Sequence, residues 1–147
     1  MRKLSFRAQS AKFLRTDPAN IWGWPDDARP RYARPERAIV DVINHPRYGV
    51  SLTQALDALL LANVKHPAFL DRLLDTVLRY NSPAAARRVG LVVERVFGTV
   101  PAKPYRGLIG ANRAPVLLRA GGAADGPVDT TWRVVVNAAL EPERVPV

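Results

Sequence analysis

The sequence predicts an α+β fold in which four central helices pack on a sheet formed by N- and C-terminal strands. Three observations lead there. Between Pro35 and Gly98, four stretches carry apolar residues at three-and-four spacing, and most open on a capping residue or a proline. Leu4 to Ala8, and again the region after Pro101, alternate apolar and polar residues with the period of a strand. No internal repeat or linker divides the 147 residues, so residues 1–147 read as a single domain.

Leu4-Ser5-Phe6-Arg7-Ala8 reads as a half-buried strand, with Ala11 to Arg15 as its partner. Pro18 to Pro35 contains four prolines, Trp22, Trp24 and Gly23, which excludes a helix and places the two indoles over an edge of the core. Pro35 suits the first helical position, where a missing N–H costs nothing, and Glu36 meets the positive end of the helix dipole. This first helix carries Ile39, Val42 and Ile43 on one face and stops at the His45-Pro46 step. Ser51-Leu52-Thr53-Gln54 is a capping box, opening a helix with Leu52, Ala55, Leu56, Leu59 and Leu60 inward. Pro67 begins the third helix, with Phe69, Leu70, Leu73, Leu74, Val77 and Leu78 inward. Ser82 caps the fourth and Pro83 takes its first position. Its inner face is Ala86, Val89, Val92, Val93, Val96 and Phe97, with Gly98 as the stop. Tyr105–Ile109, Pro115–Arg119 and Trp132–Asn137 then read as strands, and Gly121 to Pro127 as a loop.

Composition narrows the function classes. With 48% hydrophobic and 24% charged residues the chain is globular, and no apolar run approaches a membrane span. Met1-Arg2-Lys3-Leu4 lacks the apolar segment of a secretory signal, and the chain has no cysteine. A cytoplasmic location is the natural expectation. The net charge of +9 is the strongest bias, and arginine supplies most of it. A planar guanidinium suits phosphates and carboxylates, so nucleic acid or an acidic protein is the expected partner class. An arginine-rich composition without functional meaning is the competing account.

Catalytic chemistry finds little support. His45 and His66 each precede a proline at a helix boundary, with no metal-ligand spacing around them. Ser5, Ser10, Ser51 and Ser82 lack nucleophile-elbow glycines. Asp71 and Asp75 share a helical face, but Asp75 and Arg79 form a favourable i,i+4 pair. Gly107 to Arg113 has two glycines but no Gly-Lys-Ser/Thr, so a hairpin turn is favoured over a phosphate loop. No catalytic residue, metal ligand or cofactor is expected. The candidate nucleic-acid or partner-binding residues are Arg87, Arg88 and Arg95 on one basic helix, extended by Lys103, Arg106 and Arg113. A solvated helix back with packing stems is the alternative for them.

Certain strings resemble a known family. Pro35-Glu36-Arg37-Ala38-Ile39-Val40-Asp41 is followed by the turn His45-Pro46-Arg47-Tyr48-Gly49. Later come Ala86-Arg87-Arg88-Val89-Gly90 with Glu94-Arg95, and the closing Thr131-Trp132-Arg133-Val134-Val135-Val136-Asn137. In order and spacing these resemble the C-terminal domain of the AbiEi family, antitoxin and transcriptional-regulator components of toxin–antitoxin systems. The resemblance implies a domain that counteracts a nucleotidyltransferase-like toxin. In that family a winged helix precedes this domain and binds promoter DNA; the present chain corresponds to the second domain alone, so operator reading is not expected of it. Glu36, Arg37 and Asp41 occupy family positions that a polar brace at a helix start also explains. The alternatives are a basic DNA- or RNA-binding domain acting through phosphate contacts, and an interaction module whose charge is incidental.

Overall fold

The computed structural model describes residues 21–22, 32–46 and 49–141. The strands expected at Leu4–Ala8 and Ala11–Arg15, and the placement of Trp24, lie outside these residues.

The fold is α+β. A short antiparallel pair, β1 (Ile21–Trp22) and β2 (Tyr32–Ala33), precedes helices α1 (Pro35–Asn44), α2 (Leu52–Lys65), α3 (Phe69–Tyr80) and α4 (Pro83–Phe97). A single turn, α5 (Thr99–Ala102), runs into a 3-10 helix over Lys103–Leu108. Strands β3 (Val116–Leu117), β4 (Val128–Asp129) and β5 (Val134–Val135) follow, in the order β3-β5-β4, parallel on one side of β5 and antiparallel on the other. Among the described residues the N-terminal pair forms its own sheet and does not join the C-terminal one, unlike the shared sheet the sequence suggests.

The helices start and stop as local chemistry dictates. Ser51 Oγ accepts from Gln54 N at 3.1 Å while Gln54 Oε1 accepts from Ser51 N at 3.0 Å, completing the capping box. Ser82 Oγ accepts from Ala85 N at 3.2 Å ahead of Pro83. Gly98, at φ +96°, ends α4 and donates its N–H to Glu94 O. Pro67, expected as the first residue of α3, sits in the turn before it. Ala68 takes the left-handed conformation at φ 56° to reverse the chain, so the helix begins at Phe69.

Helix α4 is the hub of the core. Ala85, Ala86, Arg87, Val89, Gly90, Leu91, Val92 and Val93 are buried, leaving this helix little solvent face. Ile39, Val40 and Ile43 of α1, Leu56 and Leu59 of α2, and Phe69, Leu73 and Val77 of α3 share one apolar cluster with it. Leu78, expected inward, is 51% exposed, because the core-facing row of α3 passes through positions 69, 73, 76 and 77.

Three further expectations are corrected. Tyr105–Ile109 is not a strand. Pro104 supplies a fixed φ without an N–H at the start of a helical turn, and Tyr105, Leu108 and Ile109 face inward at three-and-four spacing. Gly107–Arg113 is accordingly no hairpin but the connection from the 3-10 helix to β3, which pairs with β5. The strand expected at Trp132–Asn137 contracts to Val134–Val135, since Trp132 and Arg133 lie in a turn and Arg133 adopts φ 57°. Asn137 prolongs the pairing with its side chain, accepting from Arg119 N at 2.8 Å and donating to Arg119 O at 3.1 Å.

Gly90 is set by its neighbour. A Cβ built there would stand 2.3 Å from Cζ3 of the fully buried Trp132 ring. The same indole donates through Nε1 to Glu94 Oε2 at 3.1 Å, one turn further along α4. Overpacking a core costs about 1–3 kcal/mol, against about 1 kcal/mol gained by replacing a helical glycine with alanine. Gly90→Ala should therefore lose up to a net ~2 kcal/mol in urea unfolding; a raised midpoint would show the indole free to shift. Tyr105 offers the opposite case. It is buried, and its phenol oxygen has no hydrogen-bond partner among the described residues. Burial, with the Asp71 charge adding to it, holds that phenol well above its usual ionisation range. An unsatisfied buried hydroxyl costs about 1–3 kcal/mol, so Tyr105→Phe should leave stability equal or higher; a loss beyond about 1 kcal/mol would reveal a partner for the hydroxyl.

Candidate functional site

The six basic candidates divide into two groups. Arg87 and Arg88 face the protein interior. Arg87 is 2% exposed and spends its guanidinium on main-chain carbonyls. Nε donates to Ile109 O at 3.0 Å, Nη1 to Ala114 O at 2.9 Å, and Nη2 to Asn112 O. Arg88 donates from Nε to Leu117 O at 2.8 Å and from Nη1 to Asn44 Oδ1 at 3.0 Å, tying α4 to β3 and to α1. Burial pulls both guanidinium pKa values down, and the nearby Arg133 charge adds to this for Arg87. These two side chains are clamps, so the structure does not bring them to a surface cluster with the others. A sequence signal for this exists: the pair lies inside Ala84-Ala85-Ala86-Arg87-Arg88-Val89-Gly90-Leu91-Val92-Val93, apolar on nearly every face, and such a helix is buried all round.

Arg95, Lys103, Arg106 and Arg113 are exposed. Arg95 Nη2 lies 3.6 Å from Asp129 Oδ2, and Arg106 Nη2 lies 3.8 Å from Glu94 Oε2. Trp132 connects the two pairs, its indole on Glu94 and its main-chain N–H on Asp129 Oδ1 at 3.0 Å. Two shallow recesses adjoin this network. One, of about 150 Å³, is lined by Thr99, Val100, Lys103 and Arg106. The other, of about 330 Å³, is lined by Arg113, Pro115, Val128, Thr130 and Arg133. Each presents a valine at its rim, Val100 at 82% and Val128 at 50% exposure. Arg133 was not legible as a site residue, because only the left-handed turn carries it to the recess. The result is a basic, partly apolar edge suited to meeting a surface.

A second polar cluster lies at α1. Glu36, Arg37, Asp41 and Asn44 are all buried. Arg37 Nε bonds Asp41 Oδ1 at 3.0 Å, and its guanidinium lies 4.8 Å from the Tyr80 ring centre. Tyr80 also hydrogen-bonds the Asp41 carboxyl, and its hydroxyl lies 2.8 Å from His45 Nε2. Glu36 Oε1 faces Arg72 Nε at 3.9 Å. This cluster braces α1 against α3, the structural role open to Glu36, Arg37 and Asp41. Among the described residues no three His, Asp or Glu side chains gather as a metal site, and no helix is long and apolar enough to cross a membrane.

Comparison with known proteins is silent: no family model, no curated protein and no solved structure matches the chain.

Within the brace, burial displaces the Asp41 carboxyl. Burial raises its pKa above the usual 3.8, against the lowering by the charge and hydrogen bond of Arg37 and the bond from Tyr80. The folded state then holds the proton to higher pH than the unfolded state does. Stability contributed by Asp41 thus grows as pH falls through the window just above 3.8 and is lost as pH rises through it. Wild type should gain on Asp41→Asn when urea midpoints are compared at neutral and mildly acidic pH. Parallel profiles would mean that pairing with Arg37 offsets burial, and a reversed trend that it outweighs it.

Proposed function

We propose that this chain is a non-enzymatic antitoxin or regulatory domain of a toxin–antitoxin system, acting against a nucleotidyltransferase-like toxin. The observation that carries it is where the AbiEi-like strings go. Two of them interlock directly, Gly90 and Glu94 receiving Trp132, while Arg88 holds Asn44 at the end of the helix that the first string opens and Asn137 pairs with Arg119. A set of strings that meets in one framework is what a shared domain design would produce. The exposed edge supports the same reading, since open basic recesses flanked by valines suit macromolecular contact better than enclosure of a small molecule.

Co-expression with a nucleotidyltransferase-like protein from the same locus is the test. Growth arrested by that protein should recover when the chain is supplied, and unrelieved arrest would defeat the proposal. The exposed Arg95, Lys103, Arg106 and Arg113 favour a second reading, nucleic-acid binding through phosphates. Five exposed or half-exposed cations including Arg133, with two held by carboxylates, leave about three phosphates to neutralise, and a log–log salt slope of about −3. A flat salt response would exclude that mode.

A further inference from the structure

We propose that the recess lined by Arg113, Pro115, Val128, Thr130 and Arg133 is the anchor pocket for an acidic segment of a partner protein. The inference rests on the reading of this chain as a partner-binding domain and names the surface and the chemistry it takes.

Charge is the first argument. Arg87, Arg113 and Arg133 surround the 109–115 connection, and among the described residues none of the three forms an ion pair. Arg87 meets only carbonyl oxygens, whose dipoles satisfy its N–H groups but cannot cancel its charge. Beside it, Arg133 anchors Nη1 on Asn112 O at 2.7 Å and Gly110 O at 3.3 Å. Its Nε and Nη2 have no hydrogen-bond partner among the described residues, so a planar fork is held in place with donors to spare. Arg113 is exposed and without a partner there. Two guanidiniums in front of a third, buried one make a local field that an anion relieves.

Shape decides which anion. Pro115 and the half-exposed Val128 supply apolar walls, and Thr130 a hydroxyl. A glutamate or aspartate fits this mixture, with its methylene stem on the proline and valine and its carboxylate on the arginines. A continuous polyanion fits less well. Along the edge beyond the recess Arg95 and Arg106 are already held by Asp129 and Glu94, which leaves few free cations for a phosphate backbone to follow. The occupant is therefore a discrete carboxylate flanked by apolar residues, as found at protein–protein contacts where arginine is enriched.

The 147-residue chain is titrated into a short fluorescein-labelled peptide of glutamate and leucine, and separately into a single-stranded oligonucleotide of equal charge, by anisotropy. Arg113→Gln, at an exposed position with no partner to lose, should weaken peptide binding about tenfold. Lys65→Gln removes the same charge from an exposed position outside the recess and should cost less than about twofold. Arg133→Gln should match Arg113→Gln while circular dichroism stays native. Equal losses at Lys65 and Arg113 would overturn the pocket in favour of diffuse attraction. Tighter oligonucleotide binding with the same dependence on Arg113 would overturn it in favour of nucleic acid. Loss of peptide binding in Arg113→Gln, with a wild type that relieves no toxin, supports the pocket and removes only the toxin reading. Full toxin neutralisation by Arg113→Gln removes the pocket as the partner contact and leaves that reading standing.

Discussion

The placement of Trp132 against Gly90 is the constraint on which the C-terminal half of this protein depends. An indole needs a flat gap in a helix surface, and only a residue without Cβ leaves one. Glu94, one turn on, fixes the ring by accepting from Nε1, so the tryptophan has both a position and an orientation. Three residues earlier in the chain, Asp129 accepts the Trp132 main-chain N–H and closes the turn between β4 and β5. The sheet itself has two-residue strands and few ladder bonds of its own. Its location is thus imposed by side-chain packing on α4, and strand pairing follows from it.

Arginine chemistry explains how so irregular a C-terminal segment stays in place. From the 3-10 helix to β3 the chain offers carbonyls that no regular ladder satisfies. Arg87 and Arg88 leave α4 about 100° apart around the helix axis, and between them they take the carbonyls of Ile109, Asn112, Ala114 and Leu117. A guanidinium presents five N–H donors in a rigid fork, so one side chain can bind several loop carbonyls at once. Lysine could not repeat this geometry. The consequence for function is subtractive: a basic helix in the sequence becomes an internal clamp, and at this edge the charge that reaches solvent comes from Arg95, Lys103, Arg106, Arg113 and Arg133.

Legibility followed the range of the interaction. Helix ends were readable because a cap is local: Ser51 with Gln54, Ser82 with Ala85 and Gly98 after Phe97 each decide their ends within a few residues. Burial of the helix faces was readable where the period was clean, as at Leu52, Leu56 and Leu59. Beyond Pro101 the periodicity misled, because Tyr105 and Ile109, four apart, satisfy the helical spacing as well as an alternating one, and Pro104 decides between them. The basic site was half readable. Exposure of Lys103, Arg106 and Arg113 follows from their polar surroundings, whereas Arg133 reaches its recess only through a positive φ that no neighbouring glycine announces.

Shape and potential at the recess have a common source, and this bears on what it can recognise. The carbonyls of Gly110 and Asn112 that seat Arg133 belong to the connection that Arg87 organises from beneath. Removing Arg87 would therefore take away a charge and also release the loop that aims Arg133, so the two effects would arrive together. Arg113 contributes charge without a structural bond, and the apolar walls at Pro115 and Val128 contribute surface without charge. Potential and geometry are separable only at those outer positions. A surface built in this way favours a ligand that uses both at once, an anion carried on an apolar stem, over one that answers charge alone.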